Sequence, residues 1–309
     1  IPAINTNFFL MNKQQFLQVW KKVEKIFFWV FMAHVLFFIW FIVQKISVQG
    51  FVVQNLKAKV LWVCTGIAAL SLFYYFILRK ISAIHKIAVL LRDIFFIGYI
   101  SSFIYLLMGF VINPPVTLTQ LGSLISFNGL SRDYISYHNM GRNIKLAVIA
   151  AEDQLFTDHD GFDLIAIKKA VKYNQKHPNK IRGASTISQQ AAKNIFLFQG
   201  GGFFRKGLEV YFTATIEALW PKKTILARYL NIAEMGRGIF GVQAAAKKYF
   251  NKDAINLTRQ EAAMIAACLP NPKKYTVKPL SNYVKYRSAA ILRQMNNLAG
   301  DPDIAALVQ

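Results

Sequence analysis

Apolar residues crowd the first 112 positions and recur at helical spacing through the rest. Three stretches, Ile26–Val43, Val60–Leu78 and Ile94–Ile112, each hold 18 or 19 residues without a formal charge. At 1.5 Å per residue such a helix is roughly 27–29 Å long, close to the hydrocarbon thickness of a bilayer. Buried core helices are the alternative, but they seldom run so far without a polar face. Three transmembrane helices (26–43, 60–78, 94–112) are therefore expected in a membrane region at 1–112, followed by a separate domain at 113–309.

No small-residue cleavage site follows the first stretch and two further stretches do, which fits an uncleaved anchor better than a secretory signal. The basic residues orient it. Lys13, Lys21, Lys22 and Lys25 precede the first span, and Arg79, Lys80, Lys86 and Arg92 join the second to the third. Lys45, Lys57 and Lys59 are fewer, so three crossings would place everything after Asn113 outside the cytoplasm. Pro114 and Pro115 mark a stiff exit. His34, in the first span, is expected to pack.

Past residue 113 the pattern predicts mostly helices. Arg142–Leu155 reads as one, broken by the polar turn Thr157–Gly161, and Leu164–Asn174 as the next. Arg205–Trp220 sets Leu208, Phe212, Ile216 and Leu219 on one stripe. Thr258 and Glu261 form a capping box ahead of the apolar run that ends at Leu269. Tyr283–Leu298 is amphipathic and closes at Gly300. No run alternates strictly enough to predict a sheet, and there is no repeat.

Charge narrows the partners. The chain carries 37 Lys and Arg against 15 Asp and Glu, a net of +22, which favours anionic partners. After residue 112 there are still 26 basic against 13 acidic residues. A basic domain at the outer face of a membrane meets lipid phosphates and no nucleic acid; a merely solvated basic surface docking on anionic lipid is the plainer alternative. Cys64 and Cys268 each lie in apolar runs, which fits packing better than a disulfide framework or a metal cluster.

Four blocks carry candidate chemistry. Glu152 ends the apolar helix segment Leu146–Ala151, where desolvation raises a carboxylate's pKa and makes a usable general base; a helix cap or a solvated acid is the alternative. Arg182–Gln190, with Lys193 and Asn194, gathers hydroxyl and amide groups suited to sugar hydroxyls and phosphate oxygens. Arg205, Lys206 and Glu209 place an acid after two cations. Lys222–Asn231 and Gly236–Val242 read mainly as architecture.

These blocks, with Leu257–Asn271, resemble the glycosyltransferase family 51 domain, in particular the monofunctional biosynthetic peptidoglycan transglycosylases. Glu152, Asp153, Phe156, His159 and Gly161 match E-D-x-x-F-x-x-H-x-G; Gly183–Asn194 resembles G-A-S-T-I-x-Q-Q-x-x-K-N; Arg205, Lys206 and Glu209 resemble R-K-x-x-E. The resemblance covers roughly residues 140–298 and implies a mostly α, lysozyme-like glycosyltransferase domain preceded by transmembrane helices. It implies an inverting enzyme of a bacterial inner membrane, facing the periplasm, that polymerises lipid II into β-1,4 glycan strands and releases polyprenyl pyrophosphate. Carried over, Glu152 is the base. Glu209 holds the pyrophosphate side, with a divalent cation (Mg or Mn) or by orienting nearby cations; no organic cofactor is implied. Lys193, Arg205 and Lys206 offset the leaving group's charge. Ser185, Gln189, Gln190 and Asn194 position substrate, with Asp153, Phe156, His159 and Thr186 in the same substrate-binding set. Implied partners are lipid II, the growing lipid-linked glycan chain, membrane lipids and other cell-wall synthesis or division proteins. Two features depart from the pattern: three spans where one anchor is usual, and Gly200–Gly202 where a basic residue is common.

Two rivals remain. A lysozyme-like or lytic glycan-cleaving enzyme also uses two carboxylates, but the cations beside Glu209 favour pyrophosphate chemistry. A non-catalytic cell-wall scaffold would make Glu152 dispensable. No penicillin-binding serine motif occurs, so a monofunctional enzyme is expected.

Overall fold

The computed structural model describes residues 13–48, 56–198, 200 and 202–309. The side chains of His34 and Cys64, and of Lys13, Lys45, Lys57 and Lys59 from the orientation argument, lie outside the described set, as does Gly201. The chain divides into two compact units, Ile1–Tyr105 and Leu106–Gln309. That division falls inside the third helix, ahead of the expected boundary at 112.

The first unit holds α1 (Lys13–Val48), α2 (Leu56–Phe76) and most of α3 (Ser82–Val111). The expected stretches 26–43 and 94–112 coincide with α1 and α3, and 60–78 outruns α2 by its last residues. Among the described residues one helix, Ser82–Val111, is long and apolar enough to cross a membrane. Phe31 of α1 meets Phe95 and Tyr99 of α3 edge-on, ring centroids 5.3 Å apart in both pairs. Among the described residues, many large apolar side chains of these helices, Trp62 and Leu70 among them, are exposed.

The second unit is helical around a central helix. After the last turn of α3 come α4 (Leu118–Ile125) and α5 (Arg142–Glu152). Every residue from Ile144 to Ala150 on α5 is buried, so α5 is covered on all sides and delivers Glu152 from its last turn. Around it stand α6 (Leu164–Lys176), α7 (Ile187–Phe196), α8 (Phe203–Leu219), α9 (Lys222–Ile232), α10 (Val242–Phe250), α11 (Arg259–Cys268), α12 (Asn282–Leu298) and α13 (Pro302–Val308). The helices expected from Arg142, Leu164 and Tyr283 form with small shifts at their ends, and Thr258–Glu261 closes the predicted capping box on α11.

Two expectations are corrected. On α8, Phe212 and Ile216 are buried but Leu219 is exposed, because the buried face also takes Glu209, Thr213 and Thr215, which a hydrophobic pattern passes over. A small sheet exists as well: β1 (Ser131–Arg132), β2 (Glu234–Gly236) and β3 (Ile239–Phe240), ordered β1-β3-β2. β3 runs parallel to β1 (Ser131 opposite Ile239) and antiparallel to β2. Strands of two or three residues are too short to show an alternation. Gly238 and Gly241 set the close approaches here: at positive φ, a Cβ on either would strike Asn128 O at 2.1 Å or Asn231 O at 2.5 Å.

The last turn of α3 belongs to this second unit. Trp220 lies against Gly109, and Arg228 of α9 donates to Gly109 O (2.7 Å), Phe110 O (3.0 Å) and Asn113 Oδ1 (2.9 Å). A guanidinium on terminal carbonyls satisfies helix-end acceptors and complements the negative end of the dipole.

Candidate active site

Glu152 lines the larger of two neighbouring compartments of about 850 and 520 Å³. Gln190, Lys193, Leu269 and Pro270 wall both. Of the expected residues, Glu152, Asp153, Ser185, Thr186, Gln190 and Lys193 line the larger, and Asn194 lines the smaller with Gln190 and Lys193. A separate cavity of about 390 Å³ between residues 134–137 and α9 holds none of them.

The carboxylate is held from one side. Gln190 Nε2 donates to Glu152 Oε2 at 2.6 Å, while Gln190 Oε1 accepts from Tyr229 Oη at 3.1 Å. The tyrosine thereby fixes which end of the amide faces the acid. Burial pushes the Glu152 carboxyl above the usual carboxylate range; Gln190, Arg287 and Lys193 pull it back down and Asp153 pushes it up. Such a group takes up a proton more readily than a solvated carboxylate, as a general base must. Arg287, which reaches the cleft from α12 and donates to Ala151 O at 3.0 Å, was not among the expected residues. Replacing Gln190 with Ala removes an influence that lowers the Glu152 pKa. The acid limb of the kcat/KM profile should then move to higher pH, which a pH series of turnover on both proteins measures.

Behind the cleft the first motif is a frame. His159 Nδ1 accepts from Gly161 N (3.1 Å), so Nε2 carries the proton and donates to Asp153 Oδ1 (2.9 Å). Asp153 Oδ2 accepts from Ile187 N (3.0 Å), the first residue of α7. Thr186 caps α7 in a capping box with Gln189, and its hydroxyl donates to Gly161 O at 2.6 Å. A Cβ on Gly161, at φ +86, would sit 2.8 Å from both Glu217 and Thr213 side chains, so only glycine fits. Phe156 is fully buried, and Lys222 Nζ stands 4.6 Å over its ring. Asp153, Phe156, His159, Thr186 and Gln189 thus spend their side chains on the protein. They fix the C-terminus of α5 against the N-terminus of α7, which is what places Glu152 beside Gln190.

Two members of this frame escaped the sequence. The Glu217 side chain on α8 is 4% exposed and accepts from Ser188 Oγ and from Lys222 Nζ (2.8 Å), and Lys222 also donates to His159 O. Their partners are far apart in the chain, and only the pairing of a late α8 acid with a lysine five residues on hinted at them. The architectural reading of Lys222–Asn231 holds for most of the run, yet Lys222 and Tyr229 both support the site.

The third block is compact. Glu209 is 3% exposed; its Oε2 accepts from Arg205 Nη1 at 2.9 Å and its Oε1 from Lys206. Lys193 lies where it feels both Glu209 and Glu152, and has no ion-pair partner among the described residues. Burial lowers its pKa, opposed by Glu209, while Arg205 and Lys206 lower it further. Arg205 Nε is buried without a hydrogen-bond partner among the described residues. Among those residues no three His, Cys, Asp or Glu side chains converge, and both Glu209 oxygens already face cations. This donor set does not fit a protein-held divalent cation.

A cleft that sets the partly desolvated Glu152 beside Lys193, in a mostly helical domain, suits an enzyme of glycosyl transfer. The sequence pattern of the transglycosylase family matches residues 119–296. Biosynthetic peptidoglycan transglycosylases of Shigella boydii serotype 4 (strain Sb227), Shigella sonnei (strain Ss046) and Escherichia coli (strain K12 / DH10B) are each 55% identical over 170 residues, 55% of this chain and 70% of theirs. The chain belongs to the transglycosylase family.

Proposed function

We propose that this transglycosylase polymerises peptidoglycan glycan strands from lipid II. The observation that carries the reading is Glu152, a carboxyl with its pKa raised by burial, lining one compartment with Lys193, whose ammonium in turn lies within the electrostatic reach of Arg205, Lys206 and Glu209. The acceptor's sugar hydroxyl gives its proton to Glu152 as its oxygen attacks the donor's anomeric carbon from the face opposite the leaving group. The bond from that carbon to the pyrophosphate oxygen breaks, and the polyprenyl pyrophosphate departs with the electron pair. Lys193 and the free edge of Arg205 meet the charge that gathers there. Glu209 orients Arg205 and Lys206 and keeps three neighbouring cations tolerable when no anion is bound. Ser185, Gln190 and Asn194 reach the cleft as positioning groups.

Membrane attachment fits a lipid-linked substrate, since it confines enzyme and substrate to one surface. The basic residues ahead of the first apolar stretch and between the second and third support an inner-membrane protein whose catalytic unit faces outward. The test incubates the purified chain with labelled lipid II and separates the products. Long strands together with released polyprenyl pyrophosphate are expected. Shortening of finished strands without polymer would replace this reading with the lytic one.

A further inference from the structure

Helix α6 and the turn after it carry charge of one sign. Between Lys168 and Arg182 the chain holds six Lys and Arg and no Asp or Glu. All six are exposed, and none forms an ion pair among the described residues. Lys168, Lys172 and Lys176 recur every fourth residue, a stripe about 12 Å long on one face of the helix. Like charges at that spacing weaken a helix, and α6 buries no residue that would offset it. The far end of the stripe is nevertheless held in shape. Tyr173 stacks on His177 at 4.3 Å, and Arg182 lies 3.6 Å from the centre of the same ring. Asn174 pairs with both the N–H and the C=O of Arg182, at 2.8 and 3.0 Å. A row of unpaired cations fixed in this way is organised for an anion from outside the fold.

We propose that the basic face of α6 receives the carboxylates of the peptides borne by the growing glycan strand and guides that strand out of the site. The inference rests on the polymerising function proposed above. Its placement comes from the two compartments. Asp163 and Ala166, at the start of α6, line the compartment of Glu152, and so do Ile181, Gly183 and Ala184 at the end of the turn. Both ends of the cationic segment thus meet at its rim. No residue of α4 lines that compartment, whereas Leu118 and Gly122 of α4 wall the smaller one. The smaller compartment therefore borders the segment that follows α3, which suits a lipid-linked substrate, and the larger borders the cations. Each peptide ends in a carboxylate, so a strand of many units is a polyanion whose charges repeat at a regular interval. Exposed ion pairs are weak one by one and screened by salt. A strand that meets several lysines at once stays attached when any one contact opens, and its reacting end remains near Glu152 for the next addition.

The test gives labelled lipid II to the full chain, in neutral detergent and in vesicles containing anionic lipid, and sizes the strands. Replacing Lys168, Lys169, Lys172 and Lys176 together with Gln keeps the helix propensity and removes the charge. In both settings the mean strand should shorten about fivefold, far more than lipid II consumption slows. Arg at the same four positions should restore the length. Lipid II with its peptide carboxylates converted to amides should give short strands from the native and the Gln protein alike. Equal strand lengths from the two proteins on ordinary lipid II overturn the proposal and leave polymerisation standing. Shortening of the same size on the amidated substrate overturns it too, because the lysines would then act on something other than the peptide. A difference confined to the anionic vesicles means that the face docks on membrane, and the proposal fails. A native chain that makes no polymer removes the polymerising reading itself, and the proposal with it.

Discussion

Glu152→Gln should reduce polymer formation from labelled lipid II by about a thousandfold, within the range that removing a general base costs. The side chain keeps its size, and Gln190 can still contact it, so the folded protein should melt as the native one does. What is lost is the ability to take the acceptor hydroxyl's proton. Equal polymer from both proteins would sink the role and revive the scaffold reading; a loss matched by a fall in melting temperature would mean that the substitution acted on the fold.

Asp153→Ala should do the reverse, damaging stability first. It leaves the His159 Nε2–H and the Ile187 N–H without an acceptor in a site that is 6–7% exposed. Each buried orphan costs about 1–3 kcal/mol, so about 4 kcal/mol in all is expected. In a thermal melt of the detergent-solubilised chain that is a fall of about 10 °C. Asp153→Asn should recover only part of it, because one amide end would face the His159 N–H with another donor. Should Asp153→Ala melt like the native chain yet lose activity, Asp153 would belong to the chemistry and not to the frame.

Adjacent positions in one motif therefore part company, and the sequence could not separate them. Glu152 was legible because a fully apolar helix turn led into it. Asp153 and His159 read as site residues because their spacing was familiar, yet their partners, Ile187 and Gly161, are backbone groups that no side-chain pattern displays. The capping boxes on α7 and α11 are local, and the one on α11 could be read directly. Glu217, Arg287 and Tyr229 could not, since each acts on a residue at least 29 positions away in the chain. The helices came through because their apolar periodicity is strong; the three short strands, fixed by glycine turns, had no room for a periodicity. On α4 the apolar spacing was there to be seen, but which way it faced depended on Gln120 and Ser123 finding partners in residues 129–134.

The pairing of Tyr229 with Gln190 has a stereochemical corollary. With the amide N–H committed to Oε2, a proton arriving at Glu152 is steered to Oε1, the oxygen that accepts no hydrogen bond among the described residues. The acceptor sugar must then approach from the Oε1 edge of the carboxyl. One buried tyrosine hydroxyl, well removed from the reacting atoms, thereby limits which edge of an incoming ring is presented for bond formation, and so which of its hydroxyls becomes the linkage.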